Sequence, residues 1–221
     1  MSLQNRVDPF GQIHGVAARG LFTGNRGIIH DPATKTLTGR RWTTKAWIIC
    51  ACAYKGRRRE VMGYNGRNGG AGWTELFFLD EVTSLAAGHR PCFECRREAA
   101  KAYAGAFGRA FGVTKPTVQM MDARLHAERL ASTRDVPPSS SQGMTETIGL
   151  PDGTMIQSGR TAYALGGGRA LPWSFDGYGD SVPLSAFGGR KVSAITPATT
   201  IAVLREGFNP IWHPSAFSQT S

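Results

Sequence analysis

An α+β fold is predicted for this chain from three observations. Glycine is abundant, 28 of 221 residues, which favours turns and short strands over long helices. Apolar residues come in short bursts such as WIICACAY and RTAYAL, which suit strands. In the centre, Glu98 to Phe111 repeats small and aromatic side chains near helical spacing. The expected architecture is a β-rich part organised by a zinc knuckle, then central helices. A C-terminal small β-sheet or barrel follows, closed by one helix.

The elements follow in order. Residues 1–75 read as strands and turns, with turn residues in RVDPFG and FTGNRG and a buried strand in WIICACAY. Asn65 to Gly72 reads as a glycine-rich hairpin tip. Asp80 is placed to cap a short helix that Gly88 ends. Glu98 to Phe111 reads as a helix packed through Ala99, Tyr103, Phe107 and Phe111, and a second helix covers Asp122 to Ala131. Ser132 to Gly143, with Pro137-Pro138 and three serines, marks a mobile loop or boundary. The chain then divides into residues 1–131 and 144–221, or continues as one domain. LPDGTMI, RTAYAL and RALPWSF read as strands with turns at Asp152-Gly153 and Gly166–Gly168. Thr196 is placed to cap a last helix that begins at Pro197 and stops at Gly207.

No uncharged run approaches the ~20 residues of a membrane span. The start, MSLQNRVDPFGQIHG, has no charged segment followed by an apolar one, so a cytoplasmic protein with reduced thiols is expected. Net charge is +10. Between Arg40 and Arg67 there are eight basic residues, Arg57, Arg58 and Arg59 among them, against one acid, Glu60. Trp42, Trp47, Tyr54 and Tyr64 are interleaved with these cations. This mixture is the one that contacts phosphates and bases together, so a nucleic-acid partner is expected.

The most informative stretch is Glu75–Arg97, ELFFLDEVTSLAAGHRPCFECRR. Cys92 and Cys95 on a tight turn place two sulfurs within reach of one metal ion, and a tetrahedral zinc site needs two more ligands. Cys50 and Cys52 are the only other cysteines, and residues two apart on a strand share a face. All four are therefore candidate ligands of a zinc ion, with His89 as a substitute. Arg90, Arg96 and Arg97 flank the turn and are candidate phosphate contacts.

This stretch resembles the zinc-binding region of the Ada family, the N-terminal domains of bacterial DNA alkylation-repair and regulatory proteins. In that family an aromatic strand leads into a short helix ending in Ala-Gly-aromatic-Arg-Pro-Cys-x-x-Cys-Arg. Here the sequence is Ala87-Gly88-His89-Arg90-Pro91-Cys92-Phe93-Glu94-Cys95-Arg96. Thr43-Thr44 and Ile48-Ile49-Cys50 resemble the strand that carries the family's first ligand. The resemblance spans residues 43–97; the remainder resembles a bacterial family with no assigned function. It implies zinc, DNA as the nucleic acid, and a role in repair or regulation. In the family one zinc-bound thiolate accepts a methyl group from a damaged phosphate, which would fall to Cys50. This chain departs in spacing its first cysteine pair two apart rather than four.

An alternative class, a metal-dependent hydrolase or nuclease, rests on two other groups. Asp122 and His126 are four apart and share a face on a helix, with Glu128 nearby. His30-Asp31 pairs an imidazole with a carboxylate, as phosphoesterase metal sites do. Trp173, Phe175 and Tyr178 are a candidate stacking platform or core aromatics.

Overall fold

Residues 2–56, 59–131 and 149–217 are described by a computed structural model, and they form the expected α+β arrangement. The first sheet contains β1 (Arg6–Val7), β2 (Ile13–His14) and β3 (Phe22–Asn25). A small ribbon, β4 (His30–Asp31) and β5 (Thr36–Leu37), stands apart from it. The sheet is completed by β6 (Ile48–Ala51), β7 (Leu76–Phe78) and β8 (Arg90–Pro91), in the order β2-β1-β7-β3-β6-β8. Trp47 and Ile49 are fully buried at β6. Gly24 lets β3 lie against β6, because a Cβ there would sit 2.3 Å from the Ile48 carbonyl oxygen.

Helix α1 (Glu81–Ala86) is capped by Asp80, whose carboxylate accepts the Thr83 amide at 2.8 Å, and Gly88 follows it in the left-handed region at φ 84°. Helix α2 (Arg97–Phe111) buries Ala100, Tyr103, Ala106 and Phe107 and ends at Gly112, φ 64°. Helix α3 (Val118–Ala131) starts one turn earlier than its sequence suggested. The Thr117 hydroxyl accepts the Met120 amide there at 3.3 Å, supplying a cap before Asp122 is reached.

The second sheet is built from β9 (Met155–Ser158), β10 (Thr161–Gly166), β11 (Arg169–Ser174), β12 (Gly177–Tyr178) and β14 (Val192–Ala194). Its order is β12-β11-β10-β9-β14, and β13 (Val182–Pro183) pairs with β11. Helix α4 (Ala198–Arg205) follows. Thr196 does not cap it. The Thr196 hydroxyl accepts the Met155 amide at 2.8 Å, and the first-turn amide of α4 at Thr199 is met by Glu128 of α3, at 3.1 Å.

Two packed clusters draw on both halves of the chain. One joins Phe22, Ile49, Leu85 and the α2 face to Val203, Leu204 and Phe208. The other joins Leu79, Val82 and Ala86 to Met155, Ala162, Leu171 and Tyr178. Helix α1 is the fastener. Asp80 also accepts the Tyr178 hydroxyl at 2.8 Å and the His213 amide at 3.0 Å, and Glu81 accepts the Ile211 amide at 3.0 Å. The boundary expected at Ser132 to Gly143 lies outside the described residues.

Candidate metal centre

Strand register builds the site. Strand β8 runs parallel to β6, with Ile48 opposite Arg90 and Ile49 opposite Pro91. The Cys92 amide extends this pairing by donating to the Ile49 carbonyl at 2.9 Å, which brings Cys92 level with Cys50. The chain then turns, with Arg96 N–H donating to the Cys92 carbonyl at 3.1 Å, and enters α2 at Arg97. The Sγ atoms of Cys50, Cys92 and Cys95 consequently lie within 4.8 Å of one another. Cys50 and Cys92 are buried, Cys95 is half-buried, and all three are free thiols.

The sulfurs sit among hydrogen-bond donors. Glu94 N–H donates to Cys92 Sγ at 3.4 Å, and the Ala51 amide faces Cys95. The thiols of Cys50 and Cys95 bond to Cys92 and hold its pKa far below the usual thiol range. The same thiol contacts, then burial, push Cys50 up. Three sulfurs in a tetrahedral zinc shell would stand ~3.8 Å apart, from a Zn–S distance of ~2.3 Å. The observed spacing needs only a small contraction to reach that, so the group could hold a metal ion.

Cys52 is not part of this group. Strand β6 ends at Ala51, so the rule that residues two apart share a face stops applying before Cys52. Its side chain is exposed, and Sγ lies 3.5 Å from the Leu21 carbonyl oxygen. His89 is not a ligand either. It is fully buried between Trp47 and Phe78, and its Nε2 accepts from Arg26 Nε at 3.3 Å. Among the described residues the cluster is three cysteines.

Three of the predicted phosphate contacts are committed elsewhere. Arg90 is buried and meets both oxygens of Asp122 at 2.8 Å. Arg96 pairs with the buried Glu81 at 2.5 Å and lies over the Phe22 ring. Arg59 pairs with Glu75 at 2.6 Å over Trp73. Arg97 is exposed, whereas Arg57 and Arg58 lie outside the described residues.

The two hydrolase groupings do not assemble. Asp122 is taken by Arg90, Glu128 is taken by Thr199, and His126 packs edge-on against Trp42 with ring centres 5.5 Å apart. All three lie on α3, but each is used by a different neighbour. His30 and Asp31 are consecutive on β4 and point to opposite faces. His30 is buried with Nδ1 2.7 Å from the Thr74 hydroxyl, and Asp31 is exposed. Of the aromatic trio, Tyr178 is buried and donates its hydroxyl to Asp80, Trp173 is half-buried with Nε1 donating to Thr83 at 3.0 Å, and Phe175 is half-buried between His14 and Trp173.

Sequence reasoning missed Arg129. Met121, Leu125 and Arg129 form one buried stripe of α3 at four-residue spacing. That spacing was the available signal. Comparison with family models, curated proteins and solved structures finds no match to the chain. Among the described residues, no helix is long and apolar enough to cross a membrane.

Proposed function

We propose that this chain is a zinc-stabilised nucleic-acid-binding protein of the Ada-like kind, with DNA as its partner and a role in repair or regulation. The convergence of Cys50, Cys92 and Cys95 carries the reading. Thiolate ligands select zinc among common divalent ions, and a structural zinc would tie β6 to the start of α2. The polyanion partner is supported by cations that the fold leaves uncommitted. Arg40, Lys45, Lys55, Arg67 and Arg97 are exposed and, among the described residues, form no ion pair. Tyr64, 57% exposed, offers a ring for stacking near Arg67.

Five such contacts give a log–log salt slope of about −4.5, so affinity for a duplex should fall roughly 500-fold between 50 and 200 mM salt. Fluorescence anisotropy with a labelled duplex measures this. Absent binding, or affinity that does not change with salt, would refute the reading.

The position of Cys52 favours a second reading. Three protein ligands plus an exchangeable position is the arrangement of a catalytic zinc, while four sulfurs make a closed structural one. Zinc stoichiometry and turnover of phosphodiester substrates in the Cys52→Ala variant separate the two. Retained zinc with measurable hydrolysis supports the catalytic reading; retained zinc without hydrolysis leaves the structural one.

A further inference from the structure

One corner of the second sheet gathers cations that the fold does not use. Strand β9 ends at Ser158, the chain turns through Gly159 and Arg160, and β10 begins at Thr161 opposite Ser158. Val192, the first residue of β14, pairs with Ser158 from the other side. One step back in that register places Lys191 level with Gly159, and Arg190 comes just before it. Arg160, Arg190 and Lys191 are all exposed.

The corner holds together without these side chains. The Gln157 side-chain amide donates to the Gly159 carbonyl at 2.9 Å, and the Arg190 backbone amide donates to the Phe187 carbonyl at 3.0 Å. Beneath them Ile156, Phe187 and Val192 pack in one apolar cluster. Among the described residues the three cationic heads make no hydrogen bond or ion pair.

In the C-terminal half the carboxylates lie elsewhere. Asp152 accepts the Gly167 amide at 3.0 Å at the opposite end of β10, and Glu206 pairs with Arg109. Asp180 adjoins Ser181, which holds Arg169 at that opposite end. Asp176 lies on the turn between β11 and β12, separated from β9 by β10.

Like charges set side by side repel, and one lysine is enough to blunt the edge strand β14. Three cations at one corner, with exposed Gly159, Gly188 and Gly189 adding no bulk, make a surface suited to an anionic chain. Neighbouring strands stand ~4.8 Å apart, so the cationic segments on either side of β9 lie within roughly 10 Å. One strand of a DNA duplex presents a phosphate every ~3.4 Å along its axis, so that span meets about three.

We propose that Arg160, Arg190 and Lys191 form a second contact with the phosphate backbone of a DNA duplex, so that both halves of the chain hold the nucleic acid. The inference rests on the nucleic-acid reading above and extends it from residues 40–97 to the C-terminal sheet. Contacts of this kind read phosphodiester charge and position the protein without reading base sequence. Adding three contacts to the five already counted steepens the wild-type salt slope from about −4.5 to about −7.2.

The test is fluorescence anisotropy with a labelled duplex at increasing salt. It compares wild type with a variant carrying Arg160→Gln, Arg190→Gln and Lys191→Gln. Three lost phosphate contacts flatten the slope by about 2.7. Between about 50 and 200 mM salt, wild type should therefore lose about 40-fold more affinity than the variant. Lys101→Gln removes a charge that Glu98 already holds at 3.0 Å, and it should leave the slope unchanged. The melting temperature of the triple variant should match wild type, because all three positions are exposed. If that variant does not fold, Arg160→Gln alone takes its place, with a slope flatter by about 0.9. An unchanged slope overturns this proposal and leaves the nucleic-acid reading standing. Equal flattening in Lys101→Gln also overturns it, because net charge alone would then account for the effect. Absence of duplex binding by wild type overturns both.

Discussion

Arg90 and Asp122 form a two-pronged buried ion pair, with Nε and the second terminal nitrogen each 2.8 Å from a carboxylate oxygen. Arg90 lies on the strand that leads into the cysteine turn, and Asp122 is on α3, 32 residues away. The pair fastens the metal-binding turn to the helical layer. Asp122→Asn leaves the buried guanidinium unmatched and should cost roughly 3 kcal/mol of stability. Urea denaturation measures it. Unchanged stability with lost function would instead return Asp122 to a catalytic role.

The four cysteines should not behave alike. Alanine at Cys50, Cys92 or Cys95 is expected to remove bound zinc and lower thermal stability, and Cys52→Ala is expected to retain about one zinc per chain. Metal analysis of protein purified without added zinc gives the answer. Zinc loss in Cys52→Ala would put that thiol in the shell.

Chelation should act on the fold itself. A structural ion stabilises by binding the native state alone, so removing it lowers the melting temperature, and adding zinc back restores it. An unchanged melting temperature in excess chelator would mean that the three thiols pack without a metal.

His89 should make stability pH-dependent. Its pKa is held well below 6.5 by burial first and then by Arg26 and Arg129. The unfolded chain takes up this proton and the folded chain does not. Stability is therefore fully present above pH 6.5 and lost as pH falls below it, at up to ~1.4 kcal/mol per pH unit. His89→Gln should flatten the part of the acid-side slope that wild type owes to this residue. Equal slopes in urea midpoints between pH 7.5 and 5 would contradict it.

Glu128 caps α4 from another helix, accepting the amide and hydroxyl of Thr199. Glu128→Ala should cost about 1 kcal/mol, as loss of a helix cap does. Amide exchange at the first turn of α4 should quicken, with exchange in α2 unaffected.

Features that depend on a few adjacent residues were legible in the sequence. Asp80 caps α1, Tyr103 and Phe107 mark the buried face of α2, and Cys92 and Cys95 sit on one turn, because backbone geometry alone relates such neighbours. The fate of Cys52 was not legible, because it depends on β6 ending at Ala51, one residue too soon to keep it facing Cys50. Nor were the roles of Arg90, Asp122 and Arg26. Charged residues read from sequence look like surface, and only packing shows which ones lose solvent and take a distant partner. Arg90 finds Asp122 across 32 residues, and Arg26 finds His89 across 63. The sequence by itself determined the α+β class and the pair of cysteines on the turn. Tertiary structure decided which third cysteine joins them and which cations stay free, because both depend on contacts between segments far apart in the chain.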